Sequence, residues 1–351
     1  HIIDVADGSK LETLDIGEEP SVSSPVFDGE GGLLLASQKL HRYELEDFSK
    51  DWEAPIDGKA TTTTAFDDVA AVSSANGVAL YDLGTGQEVD RALSDKPVSL
   101  HGMFAGDAIY SVSGGDLHEI PVSRNSSEDT EVAPDDGGGQ YQGNPQSTGF
   151  TETGKDPVSG FGEPQVTASP GANLPTVSLN GRTAAAGNGS LEVYDQDGNQ
   201  IASFDRGTES VPVLVDGGDT LYGSDSTGLH KFDVPSQTEL GSVSDDIAAN
   251  RGALKLSQND TLGVSSAGNV AFIDAETLDV VSNFSVDSAG LRNTVFASND
   301  NALTTDDSAV RSLNPKTGEI RWSMKDQFGS RVVSNGAATN GEVYAVTDSA
   351  G

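Results

Sequence analysis

Along the chain, a short pattern of apolar and polar positions returns at nearly even intervals. An apolar residue is followed by two variable residues, a large apolar residue and then, in most copies, an aspartate. It reads Leu40-His41-Arg42-Tyr43-Glu44, Val78-Ala79-Leu80-Tyr81-Asp82 and Leu117-His118-Glu119-Ile120-Pro121. It continues as Leu191-Glu192-Val193-Tyr194-Asp195, Leu229-His230-Lys231-Phe232-Asp233, Val270-Ala271-Phe272-Ile273-Asp274 and Val310-Arg311-Ser312-Leu313-Asn314. Copies lie about 40 residues apart, except where extra sequence separates the third from the fourth, and that spacing is the size of a four-stranded propeller blade. Before each copy comes a strand-like run ending in a small-residue turn, such as Thr220-Leu221-Tyr222-Gly223-Ser224-Asp225-Ser226-Thr227-Gly228; after it come a polar turn and another strand-like run. No window sustains a helical period over three turns, so the predicted elements are short strands joined by hairpins. Apolar residues on both faces of these strands fit blades that pack against a neighbour on each side.

The pattern predicts seven intact blades at 18–57, 58–95, 96–134, 172–207, 208–246, 247–287 and 288–327. The two ends supply the eighth. The chain closes on Gly341-Glu342-Val343-Tyr344-Ala345-Val346-Thr347-Asp348-Ser349-Ala350-Gly351, a strand and turn of the kind that precede the repeat core, and opens on His1-Ile2-Ile3-Asp4, the core itself. Residues 328–351 and 1–17 together match the length of the other blades. The expected fold is therefore all-β: one domain over 1–351, an eight-bladed β-propeller of four-stranded antiparallel blades. N- and C-terminal strands share one sheet, which removes the open edges of a linear array. Residues 135–171 fit none of the blades and are expected as an insertion between blades three and four.

Composition sharpens this picture. Apolar residues make up 35% of the chain, low for one thick core and suited to many thin sheets. The formal net charge of −35 repels phosphate backbones and anionic lipid, which argues against nucleic acid and bare membrane as partners and favours a basic protein partner or divalent cations. The same acidity also fits adaptation to high salt. Zero cysteine excludes disulfides, thiolate metal sites and cysteine nucleophiles. No apolar run approaches the ~20 residues of a spanning helix. A start at His1, without Met and in mid-pattern, implies that a preceding segment was removed, and an extracytoplasmic protein, secreted or anchored to the envelope, is expected.

The stretch Leu313-Asn314-Pro315-Lys316-Thr317-Gly318-Glu319-Ile320-Arg321-Trp322 resembles the consensus of the PQQ-like, or quinoprotein-like, repeat, which runs apolar, Asp, two residues, Thr-Gly, two or three residues, Trp. Tyr81-Asp82-Leu83-Gly84-Thr85-Gly86-Gln87-Glu88-Val89 matches it without the Trp, and Asp51-Trp52 keeps the Trp in the first blade. Six blades lack the Trp that locks neighbours together in quinoprotein dehydrogenases, so smaller side chains are expected between them. The dehydrogenase branch of the family holds pyrroloquinoline quinone and calcium, typically over a vicinal disulfide and against a Trp floor. With no Cys and both Trp used by the repeat, this chain is similar to the cofactor-free, BamB-like scaffold branch. That resemblance implies no bound quinone.

Several residues invite a closer look. His1, His41, His118 and His230 share a column of the repeat, but a ring places them in blades eight, one, three and five, too far apart for one zinc cage; packing between blades is the expected role, and no metal site is assigned. Asp195-Gln196-Asp197-Gly198-Asn199 resembles the start of a calcium loop, lacks the distal Glu and equally describes a hairpin turn. Asp67-Asp68, Asp245-Asp246 and Asp306-Asp307 read as solvated turns. Nucleophile elbows, His-Glu-xx-His and phosphate loops are absent as motifs, so no catalytic residue is assigned. The insertion carries nine glycines and four prolines with isolated Tyr141, Phe150 and Phe161, either a flexible loop or a strap whose aromatics dock on the disc or on a partner.

The favoured reading is a non-enzymatic binding or scaffold protein of the cell envelope or surface, monomeric in isolation. The alternative is an enzyme, a hydrolase or a cofactor-dependent oxidoreductase, with its site in the central channel. The acidity has its own test. If it is salt adaptation, molar KCl raises the melting temperature markedly by screening self-repulsion; if it serves a basic partner, melting changes little while partner binding weakens with salt.

Overall fold

In the computed structural model, the described residues are 1–16, 23–94, 98–105, 107–125, 150–151, 156–168, 177–179, 181–187, 189–195, 197–206, 210–244, 254–266, 268–285, 294–298, 300–306, 308–325, 328, 336–338 and 343–345. They form eight sheets, each with four antiparallel strands side by side; in six of them the four are consecutive in sequence, and two sheets carry additions. Blade five shows the plan: Val213–Val215, Thr220–Asp225, Gly228–Asp233 and Thr238–Ser244. Its second strand is buried throughout, whereas its fourth is mostly exposed. First strands of neighbouring blades touch, as Val26–Phe27 does with both Ala60–Phe66 and Ala337–Ala338, so first strands face the axis and fourth strands form the rim. The molecule is an eight-bladed β-propeller.

The repeat core is the third strand of each blade, and its aspartate has a structural task. Asp82 Oδ1 accepts from the amide and the hydroxyl of Thr85, and Asp274 Oδ1 does the same with Thr277. Asp4, Asp195 and Asp233 accept backbone N–H groups from the same turn. Such Asx turns fix the reversal into the fourth strand in these five blades, and Asn314 does the same in blade seven by accepting the Lys316 N–H.

The turn then docks on the preceding blade. Trp52, on the rim strand of blade one, donates Nε1–H to the Leu83 carbonyl in blade two at 2.8 Å; Trp322 in blade seven does the same to Val5 in blade eight at 2.8 Å. Each indole lies over a glycine with positive φ, Gly86 at +69° and Gly8 at +76°, where a Cβ would meet ring carbons at 2.6 and 2.5 Å. Elsewhere smaller or more flexible groups stand in. Gln237 donates Nε2–H to the Ile201 carbonyl, Leu278 packs at Gly241, and Gly318 presses on the Asn283 backbone.

Ring closure follows the expected plan: Ile2, Ile3 and Asp4 pair antiparallel with Ala345, Tyr344 and Val343, flanked by Lys10–Glu12 outside and Ala337–Ala338 inside. Ile2, Ile3, Tyr344 and Ala345 are all buried. At about 1.5–3 kcal/mol for each large apolar side chain kept from water, this seam contributes to the stability of the whole ring. Gly351 lies outside the described residues.

The insertion departs from expectation. Gln165–Ala168 pairs with Leu117, His118 and Glu119, and Val158–Phe161 pairs with Val122, Ser123 and Arg124. Blade three thus takes its fourth strand from within 135–171, and the insertion falls inside that blade instead of between blades three and four. The sequence concealed this because the returning strand carries Pro164 beside it and little apolar character. A further piece, Phe150–Thr151, adds a parallel fifth strand to Ala65–Phe66 on the inner edge of blade two.

These contacts predict an ordered set of stabilities. Gly8→Ala and Gly86→Ala, which put a methyl into an indole, should each cost more than Gly189→Ala, where nothing lies within 4 Å and strain of about 1 kcal/mol is the whole penalty. Ile3→Ala at the seam should cost about 2–5 kcal/mol. Denaturant unfolding of the four variants gives the comparison.

Candidate functional site

The strap between blades two and three is held by charged side chains, and Asp67 and Asp68, expected as solvated turns, are among them. Arg124 reaches Asp67 Oδ2 at 2.9 Å, Asp107 Oδ1 at 3.2 Å and the Asp156 carbonyl at 2.7 Å. Asp68 Oδ1 accepts the Val158 N–H at 3.1 Å, and Asp90 Oδ2 on the rim of blade two accepts the Phe161 N–H at 2.8 Å. Phe161 is half-buried against the cluster of Val69, Ile109 and Ile120, so this aromatic serves the seam between two blades. Phe150 is placed by its backbone on the inner edge of blade two, far along the strap from Phe161. Tyr141 lies outside the described residues. The strap does not bring the three together in the described part.

The histidine column is dispersed as the ring requires. His41 is buried, stacks on Tyr43 and lies 3.7 Å from Glu53. His118 is buried opposite Ser111, and His1 meets the edge of Phe328. His230 is the most elaborated. Its Nδ1 lies 3.0 Å from Glu239 Oε1, and its Nε2 lies 3.2 Å from Asp225 Oδ1 and 3.0 Å from Thr227 Oγ1. Thr227, His230 and Glu239 have the connectivity of a hydroxyl–imidazole–carboxylate triad. However, the Thr227 hydroxyl donates to Asp225 at 2.6 Å, which leaves it facing His230 with a lone pair. The imidazole therefore works as a clamp between the turn and the rim strand.

Among the described residues no group of three metal-ligating side chains converges. Asp195 Oδ1 accepts from the amides of Asp197 and Asn199, and Asn199 Nδ2–H reaches both oxygens, so hairpin donors engage the carboxylate of the calcium-like loop. Asp306 is a buried carboxylate, bound by Arg311 and by the amides of Ser308 and Ala309, again more than a solvated turn. Asp245, Asp246 and Asp307 lie outside the described residues.

Two features escaped the sequence reading. Lys255, on the inner strand of blade six, is fully buried, and burial holds its ammonium well below the usual range. The positions that pair equivalently in neighbouring blades carry Val213 and Val295, and this substitution for valine was a visible signal once the blades are aligned. The second feature is the rim. The exposed large aliphatics among the described residues, between 36% and 56% accessible, all stand on fourth strands. Nearly every one falls within the first two residues of its strand, beside the turn that carries the repeat aspartate.

The His230 clamp has a pH signature. Burial pushes Asp225 and Glu239 up, but Thr227 and His230 around Asp225, and His230 and Arg206 around Glu239, outweigh it and hold both below their ordinary values of 3.8 and 4.5. Depressed folded values mean stability that is present above the ordinary range and is lost as pH falls through the folded pKa values. His230→Ala should cost about 1–3 kcal/mol at pH 7. Its deficit against the parent should shrink as pH drops below about 4 in acid-unfolding curves.

No protein-family model matches the chain, and no curated protein sequence does. Solved structures do. BamB from Moraxella catarrhalis superposes with a TM-score of 0.62 at 16% identity, covering 93% of this chain and 96% of its own. Sqt1 from Saccharomyces cerevisiae gives 0.66 at 9% identity, with 95% and 97% covered. The computationally designed Ika8 protein gives 0.65 at 12%, with 94% and 97% covered. Likeness at such identity is likeness of fold, and it establishes the propeller; BamB, a PQQ-like repeat propeller, stands among the structures this chain resembles.

Proposed function

We propose that this protein is a non-enzymatic binding propeller, a scaffold that takes up a protein partner on its outer surface and works outside the cytoplasm, secreted or held at the cell envelope. The observation that carries the reading is the parallel strand Phe150–Thr151, which lays the chain's own insertion along the inner edge of blade two. That edge faces the axis, where an enzyme of this architecture would need room for cofactor and substrate. The Thr227–His230–Glu239 geometry, the nearest approach to a catalytic constellation in the described part, is engaged as a clamp through Asp225. Similarity of fold to BamB and Sqt1 adds a general precedent for closed propellers without adding a partner. No helix among the described residues is long and apolar enough to cross a membrane.

The test is cofactor reconstitution. Purified protein titrated with pyrroloquinoline quinone and calcium should show no saturable change in quinone absorbance and no calcium-dependent dye reduction. Dye reduction that saturates with quinone would overturn the scaffold reading in favour of the channel enzyme.

A further inference from the structure

On the rim of blades five to eight, exposed aliphatic side chains recur at equivalent positions. Leu240, Val280, Val281, Ile320 and Leu11 are each more than 40% accessible, and they sit at the same level of four successive blades. Between these positions, each turn of one blade lies on the rim strand of the one before. Leu278 of blade six packs at Gly241, Gly318 of blade seven presses on Asn283, and Gly8 of blade eight supports Trp322.

A β-bulge explains why these side chains point outward. Pairing of the rim strand skips Leu240 between Glu239 and Gly241, Val281 between Val280 and Ser282, Arg321 between Ile320 and Trp322, and Leu11 between Lys10 and Glu12. In a regular strand Val280 and Val281 would face opposite ways; with the bulge both stand in solvent, at 44% and 43% accessible. Bulges also interrupt the edge as a template for another strand. The rim therefore offers side chains more than backbone, which suits the apolar face of a helix better than an added strand.

Charge selects among helices. Exposed Asp279, Glu319, Glu12 and Glu276 border these aliphatic positions, while Lys316 and Arg321 are both held by Asp300, through its carboxylate and its carbonyl. The chain as a whole carries −35. A helix with basic residues flanking an apolar stripe matches both properties.

We propose that the rim of blades five to eight binds a basic amphipathic helix of a partner protein. This rests on the binding-propeller reading and gives it a place and a partner chemistry.

The probe is a fluorescein-labelled 18-residue peptide of Lys and Leu in amphipathic helical order, at about 0.15 M salt so that diffuse attraction is screened. Its anisotropy should rise saturably with the protein. The triple variant Leu240→Ser, Val281→Ser, Ile320→Ser should weaken binding at least tenfold while melting as the parent does, since all three side chains are exposed. Val89→Ser with Val166→Ser, on the rims of blades two and three, should change it less than twofold. The same peptide with Glu for Lys should not bind. Equal weakening by the two sets of variants, absence of binding, or equal binding of the Glu peptide would overturn the proposal. So would concentration-dependent self-association or zwitterionic-vesicle binding that the triple variant abolishes, since these positions would then belong to a second copy or to lipid. None of these results touches the scaffold reading, which falls on quinone-dependent dye reduction alone.

Discussion

The structure depends on one contact between residues more than 300 positions apart: the ladder of Ile2, Ile3 and Asp4 against Ala345, Tyr344 and Val343. Six of the other blades are assembled from consecutive strands joined by local hairpins, and blade three differs only in drawing its outer strand from the insertion. Blade eight alone draws on both ends of the chain, and without it blades seven and one would each present a bare apolar face. Tyr344, Ile3 and Val5 pack with Val295, Leu303 and Val310 of blade seven, while Ile2, Ala337 and Ala345 pack with Phe27, Leu33 and Tyr43 of blade one. The seam thus joins two clusters that would otherwise be edges, and it is reinforced from outside by Trp322 reaching Val5.

A closed ring also explains how the rim and the axis divide their work. Strands near the axis are buried on both faces and carry Val, Ala, Leu and hydroxyl pairs such as Ser265 with Thr294 and Ser23 with Thr63. Fourth strands have no outer neighbour, so their bulges and charges face solvent.

Much of this was legible in the chain. The spacing of the repeat core gave blade number and register because each core is a third strand, and in five blades its aspartate closes the same Asx turn. The Trp–Gly docking of blades one and seven was visible as a consensus, although the roles of Gln237 and Leu278 at the same junctions were not, since side chains of different shape fill that gap. The end of the insertion was misplaced for a physical reason: Gln165–Ala168 pairs through its backbone and exposes Val166, so it lacks the periodicity by which strands are read. The candidate surface was hidden for a related reason. A bulge turns Leu240 and Val281 outward without any mark in the sequence, and an apolar residue in a strand reads as core until the register is known. Phe161, isolated in the sequence, packs at the seam of blades two and three because Asp90 holds its backbone against blade two, a contact that only the fold reveals.

Native-state hydrogen exchange tests the central dependence most directly. If the ring stands or falls with its seam, the slowest amides among Ile2, Ile3, Tyr344 and Ala345 exchange through the same global opening as those of Leu221 and Phe232 in blade five, with the same free energy and the same denaturant slope. Seam amides that exchange through a separate, lower-energy opening while blade five stays protected would contradict the account.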